Sequence, residues 1–131
     1  MKNIDLACII DDDPIFVFGA QRFMKVANFC KSLMIFGNGK EALEVLLPRL
    51  KAGENIPEVI LLDINMPVMN GWEFLDEFVK VPVSREVTIY VVSSSIDPRD
   101  ISRVKEYEQV SNYIIKPVTS KVLNEILLQE A

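Results

Sequence analysis

The chain reads as an α/β fold, a parallel five-stranded sheet with helices on both faces, and three observations predict it. Five short apolar runs alternate with five stretches whose apolar residues recur at helical spacing. The run Val59 to Leu62 is continuously apolar, as expected of a strand buried on both faces. Four of the five runs end abruptly in a polar group, at the carboxyl edge where open sheets of this class bind ligands.

Taken in order, Ile4 to Ile10 is the first strand, and it runs into Asp11, Asp12, Asp13 and Pro14. Asp13 before a proline is a good helix N-cap, and Phe16, Ala20, Phe23 and Ala27 then give a core-facing stripe. Ile15, Val17 and Phe18 fall largely off that stripe. Leu33 to Phe36 is the second strand. A helix from Lys40 to about Lys51 follows, whose last turns Pro48 should disturb or end. Lys51 to Pro57 is the most loop-like stretch and the best place for an exposed connection. The third strand, Val59 to Leu62, stops at Asp63, and Pro67, Asn70 and Gly71 mark an irregular loop before a helix carrying Trp72, Phe74, Leu75 and Phe78. Pro82 interrupts the approach to the fourth strand, Thr88 to Val92, which ends at Ser93-Ser94-Ser95. Asp97-Pro98 opens a fourth helix through about Tyr107. Tyr113 to Ile115 is the last strand, ending at Lys116-Pro117, and Thr119 caps a final helix with Val122, Leu123, Ile126 and Leu127.

Composition narrows the function. At 131 residues the expectation is a single domain over 1–131 with no attached output domain. No apolar run approaches the ~20 residues of a membrane span, and an acid at position 5 breaks any signal-peptide core, so a cytoplasmic protein is expected. A net charge of -5 offers no diffuse basic surface for nucleic acid. The two cysteines read as reduced thiols. The absence of histidine removes imidazole metal sites and Ser-His catalysis.

In a parallel sheet the polar strand ends converge on one edge: Asp11 and Asp12, Asp63, Ser93 and Lys116. Acids before a helix, serines and lysines are each ordinary in loops. Together they are less so, because three close carboxylates repel unless a cation neutralises them, and hard oxygen donors suit Mg²⁺. A hydroxyl and an ammonium opposite would contact an anion, and a phosphoryl group fits them. The set reads as a metal-assisted phosphoryl-transfer site with a carboxylate nucleophile. The residues alone leave open which aspartate is that nucleophile.

The segments I-I-D-D-D-P, L-L-D-I-N-M-P-V-M-N-G, V-V-S-S-S and Y-I-I-K-P, in this order, closely resemble the receiver domain of two-component response regulators, in its stand-alone, CheY-like form. The resemblance implies a flavodoxin-like (βα)5 three-layer sandwich with strand order 2-1-3-4-5. It implies a signalling domain rather than an enzyme, with Asp63 accepting a phosphoryl group from a sensor histidine kinase or phosphotransfer protein. Asp11, Asp12, Asp63 and the backbone carbonyl of Asn65 would hold Mg²⁺. Ser93 would bond the phosphoryl oxygens, Lys116 would pair with the acyl phosphate, Pro117 would be the cis proline shaping that loop, and Tyr113 would be the aromatic switch. The signal would leave by a surface change to a downstream target protein. Ser93 replaces the commoner threonine and Ser94 the common alanine.

Ile15, Val17 and Phe18, near the acidic pocket, form a candidate docking patch for the kinase. Three other readings compete. An aspartyl phosphatase fits Asp11-Asp12-Asp13 but is generally a longer chain. A flavodoxin-like cofactor binder is opposed by three acids where phosphate would sit. A receiver-like scaffold that works without phosphorylation is the alternative kept.

Overall fold

A computed structural model describes residues 4–81 and 87–130. The approach to the fourth strand around Pro82 lies outside the described residues. Strands β1 (Ile4–Ile10), β2 (Cys30–Phe36), β3 (Val59–Leu62), β4 (Thr88–Ser93) and β5 (Val110–Ile115) pair in parallel in the order β2-β1-β3-β4-β5. Helices α1 (Pro14–Ala27), α2 (Gly39–Ala52), α3 (Gly71–Phe78), α4 (Pro98–Arg103) and α5 (Ser120–Glu130) alternate with them. Alternation and strand order are as the sequence and the resemblance imply.

The sheet has a core on each face, because successive strand residues point to opposite sides. Cys8, Ile10, Ile60, Leu62 and Val91 pack toward Leu43 and Leu46 of α2 and Phe74 and Phe78 of α3. Ile9, Leu61, Tyr90 and Val92 pack toward Ala20 and Met24 of α1 and Leu123 and Ile126 of α5. β3 is fully buried along its length, as its unbroken apolar run predicts. Both cysteines are free thiols.

Several elements differ from the sequence reading, each for a physical reason. The buried stripe of α1 runs through Ala20 and Met24, with Val17 and Ala27 packed at its margin, while Phe23 is 37% exposed. The helical repeat through Val17, Ala20, Met24 and Ala27 wins because it faces the sheet, leaving Phe16 half-buried and Phe23 at the rim. Val17 therefore belongs to the core margin, whereas Ile15 and Phe18 are 83% and 62% exposed. Pro48 does not end α2, which continues to Ala52. Pro48 and Glu44, whose carbonyl lacks an amide partner at Pro48, both lie on the exposed side of the helix, and Leu46 and Leu50 anchor the other side. β2 and β5 begin earlier than their apolar runs because they are edge strands, where Lys31, Ser32, Ser111 and Asn112 sit exposed. α4 is shorter than expected, passing into a 3₁₀ turn at Val104–Glu106 before Tyr107.

Candidate functional site

Parallel pairing brings the four polar strand ends together. Asp11 donates its amide to the Phe36 carbonyl (3.0 Å), Asp63 to Ile10 (2.9 Å) and Lys116 to Ser93 (2.9 Å). The ladder thus continues one residue past each strand and fixes where these side chains start. Beyond Asp11, Asp13 caps α1, accepting from the amides of Ile15 (3.0 Å) and Phe16 (3.4 Å). Beyond Asp63, Asn70 and Glu73 form a capping box at α3. Gly71 must be glycine there: a Cβ would lie 2.5 Å from the Asp63 carbonyl oxygen and 2.7 Å from Ile64 Cα.

Carboxylate oxygens of Asp11, Asp12 and Asp63 lie within 4.8 Å of one another, with Asp11 and Asp63 buried and Asp12 exposed. The triad is able to hold a metal ion. Its donors are all hard carboxylate oxygens, a set that fits a hard cation such as Mg²⁺. Lys116 Nζ sits 3.0 Å from Asp11 Oδ2 and 3.6 Å from Asp63 Oδ2. The resting lysine therefore leans on Asp11 more closely than on Asp63.

Burial pushes the Asp63 carboxyl up to about 6, and nearby Asp11 adds to this against the Asn65 amide bond and Lys116. Burial also raises Asp11, opposed by the Asp13 amide and Lys116. Burial alone would lower Lys116, but its contact with Asp11 and the charge of Asp63 outweigh that and raise it, so it stays an ammonium.

On the far side, buried Ser93 Oγ accepts from the Ser95 amide (3.1 Å) and the Asn65 side-chain amide (3.4 Å). Asn65 N–H donates to Asp63 Oδ1 (3.1 Å). Tyr113 O–H donates to the Ser95 carbonyl (2.8 Å), and Ser95 Oγ to Asp100 on α4 (3.0 Å). The Lys116–Pro117 peptide is cis. Ile15 and Phe18 face solvent on α1, whose N-terminus adjoins the pocket; Val17 is turned toward the core.

Sequence reasoning missed three participants. Ser95 links Ser93, Tyr113 and α4, and its place two residues past a strand end was the available signal. The Asn65 side chain, and not its backbone alone, reaches Ser93. The Phe16 ring lies 4.4 Å from Lys116 Nζ, a cross-element contact that periodicity cannot show.

Comparison with known proteins agrees with this geometry. A family model described as the response regulator receiver domain matches residues 7–128. A two-component response regulator from Cytophaga hutchinsonii superposes with a TM-score of 0.87 at 32% identity, covering 98% of this chain and 97% of that one. The sensor histidine kinase CheAY of Helicobacter pylori is 34% identical over 69% of this chain and 11% of its own length. The nitrate/nitrite response regulator protein NarL of Escherichia coli is 32% identical over 72% of this chain and 42% of its own length. The chain thus spans less than half of either curated relative. Receiver domains pair with histidine kinases. No described helix is long and apolar enough to cross a membrane. With its sheet order, its acidic pocket and a family match over nearly its whole length, this chain belongs to the response regulator receiver domains, which are phosphoacceptor signalling domains rather than enzymes.

Proposed function

We propose that Asp63 accepts a phosphoryl group from the phosphohistidine of a sensor histidine kinase or phosphotransfer protein, in a Mg²⁺-dependent step. The observation that carries this reading is a buried carboxylate, lifted to about 6, facing an ammonium 3.6 Å away inside an acidic triad. Asp11, Asp12, Asp63 and the Asn65 backbone carbonyl would hold Mg²⁺, which when bound supplies electrostatic stabilisation of the phosphoryl oxygens. An Asp63 oxygen attacks phosphorus, the P–N bond to the donor imidazole breaks, and that nitrogen leaves with the electron pair. Lys116 moves from Asp11 toward the new acyl phosphate.

Ser93 has both acceptor positions occupied, by Ser95 and Asn65, which leaves its O–H to donate to a phosphoryl oxygen. That pull acts on Ser95, and through Ser95 on Tyr113 and α4, so Tyr113 is the switch that carries the signal to a target-binding surface. Ile15 and Phe18 supply the exposed docking patch for the kinase. Substituting Phe18 with a polar residue slows transfer from the kinase but not from a small acyl-phosphate donor.

Intact-protein mass spectrometry after incubation with acetyl phosphate tests the reading. Wild type gains one phosphoryl group only with Mg²⁺, and Asp63→Asn gains none. No gain in wild type under any condition would give first place to the phosphorylation-independent scaffold.

A further inference from the structure

The Lys116 ammonium meets groups of two kinds, and three of them lie close. Two are carboxylates, Asp11 at 3.0 Å and Asp63 at 3.6 Å. The third is the face of Phe16, whose ring centroid lies 4.4 Å from Nζ. The geometry points to Phe16 as a positioning residue for phosphoryl transfer: an uncharged aromatic platform that holds the Lys116 ammonium between Asp11 and Asp63. This rests on Asp63 being the acceptor.

An ammonium has three donors, all needed by oxygens when the acyl phosphate forms. A ring face attracts the charge without being a directional acceptor, so it holds the ammonium near the pocket without fixing which oxygen each N–H serves. A carboxylate in the same place would fix Lys116 in an ion pair, and water would let the side chain swing out. Lys116 is only 17% exposed, partly because the ring covers it. The ring itself is well anchored. Phe16 donates its amide to the Asp13 cap, packs on the core shared by α1 and α5, and borders a shallow apolar groove of about 360 Å³ with Pro117 and Val118. α1 thereby acts on a side chain belonging to the β5–α5 connection, across the pocket mouth.

Periodicity assigns Phe16 to the core stripe, and its packing accounts for part of its burial. A packing role needs only apolar volume. A platform role needs the ring's electron-rich face, and the two separate experimentally.

The test measures the Mg²⁺-dependent phosphorylation rate with acetyl phosphate for wild type, Phe16→Leu, Phe16→Tyr, and protein carrying mono- to trifluorinated phenylalanine at position 16. The fluorinated rings keep size and packing while weakening the face. Phe16→Leu is expected to lose about three- to tenfold in rate, in keeping with a cation–π contact of this exposure. Phe16→Tyr stays within about twofold, and the fluorinated series falls stepwise. A flat fluorinated series, or equal losses in Leu and Tyr, would overturn the proposal. In parallel, the Lys116 ε-methylene protons are expected upfield in wild type by ring current and not in Phe16→Leu. Should wild type take no phosphoryl group, the acceptor reading fails and the positioning role falls with it, whereas an absent shift in a wild type that is phosphorylated overturns the platform alone.

Discussion

At the bottom of the pocket Asp63 is 4% exposed, and burial lifts its carboxyl to about 6 from an ordinary value of 3.8. A raised folded value means that the protonated group favours the fold. That contribution is complete below about 4 and is lost as pH rises through 6. Metal-free wild type therefore weakens over this window. Asp63→Asn lacks this loss and keeps only that of Asp11, whose carboxyl burial also raises, so at pH 7.5 it melts higher than wild type, with roughly 3 °C for each kcal/mol relieved in a chain of this size. The gap narrows as pH falls from 6 and closes near 4, which differential scanning calorimetry in a chelator will show. Lys116 keeps Asp11 in that variant and is not orphaned. A second residue, Val68 in the loop after Asp63, has φ 70 and is 76% exposed. A β-branched side chain in the left-handed region costs on the order of 1–2 kcal/mol, so Val68→Asn raises the denaturant midpoint by about 1 kcal/mol equivalent. Asp11, Asp63, Ser93 and Lys116 were legible because each interrupts an apolar run. Phe16 and Ser95 were not, because their roles depend on partners in other elements.

The elements show where local pattern ends and context begins. β1, β3 and β4 are central strands, and their apolar runs, broken only by Asp5 near the start of β1, mark their extent closely. β2 and β5 lie at the edges, where one side is open to solvent and half of each strand reads as loop. In α1 two apolar stripes share the same helix, and only the position of the sheet selects the one through Met24. α4 buries none of its own residues. It is held by Val104, by Ser95 on Asp100, by Arg103 over Trp72 (4.5 Å) and by Tyr107 O–H on Asp76 (2.7 Å). No helical stripe announces such an element. The junction of β3 with α3 gives the sharpest prediction. Gly71 donates its amide to the Ile64 carbonyl (3.1 Å), and the space a Cβ would need is filled by the backbone of Asp63 and Ile64. Backbone cannot rotate away as a side chain can. Gly71→Ala is expected to lose about 1–3 kcal/mol in urea unfolding and to slow phosphorylation, because relief moves Asp63.

The whole molecule has two unlike ends. The carboxyl edge of the sheet holds every group of the pocket, while the opposite edge holds the turn at Gly53 to Asn55, exposed and with φ values of 71 and 54 at its two ends. A short Gly/Ser insertion after Glu54 is expected to cost under about 1 kcal/mol and to leave phosphorylation unchanged, as melting and mass spectrometry would report. The lean of Lys116 toward Asp11 has a consequence for ion selection. The resting pocket already carries its own tethered counter-ion, so three carboxylates leave an excess of two negative charges rather than three. By valence alone, a monovalent ion would leave the pocket underfilled, a trivalent one would reverse its sign, and a divalent one would bring it to charge balance. On the proposed reading, in which Asp63 takes up a phosphoryl group, that balance would tip negative by one charge, and the hydroxyl of Ser93, whose oxygen already accepts from Ser95 and Asn65, has its proton to offer in answer.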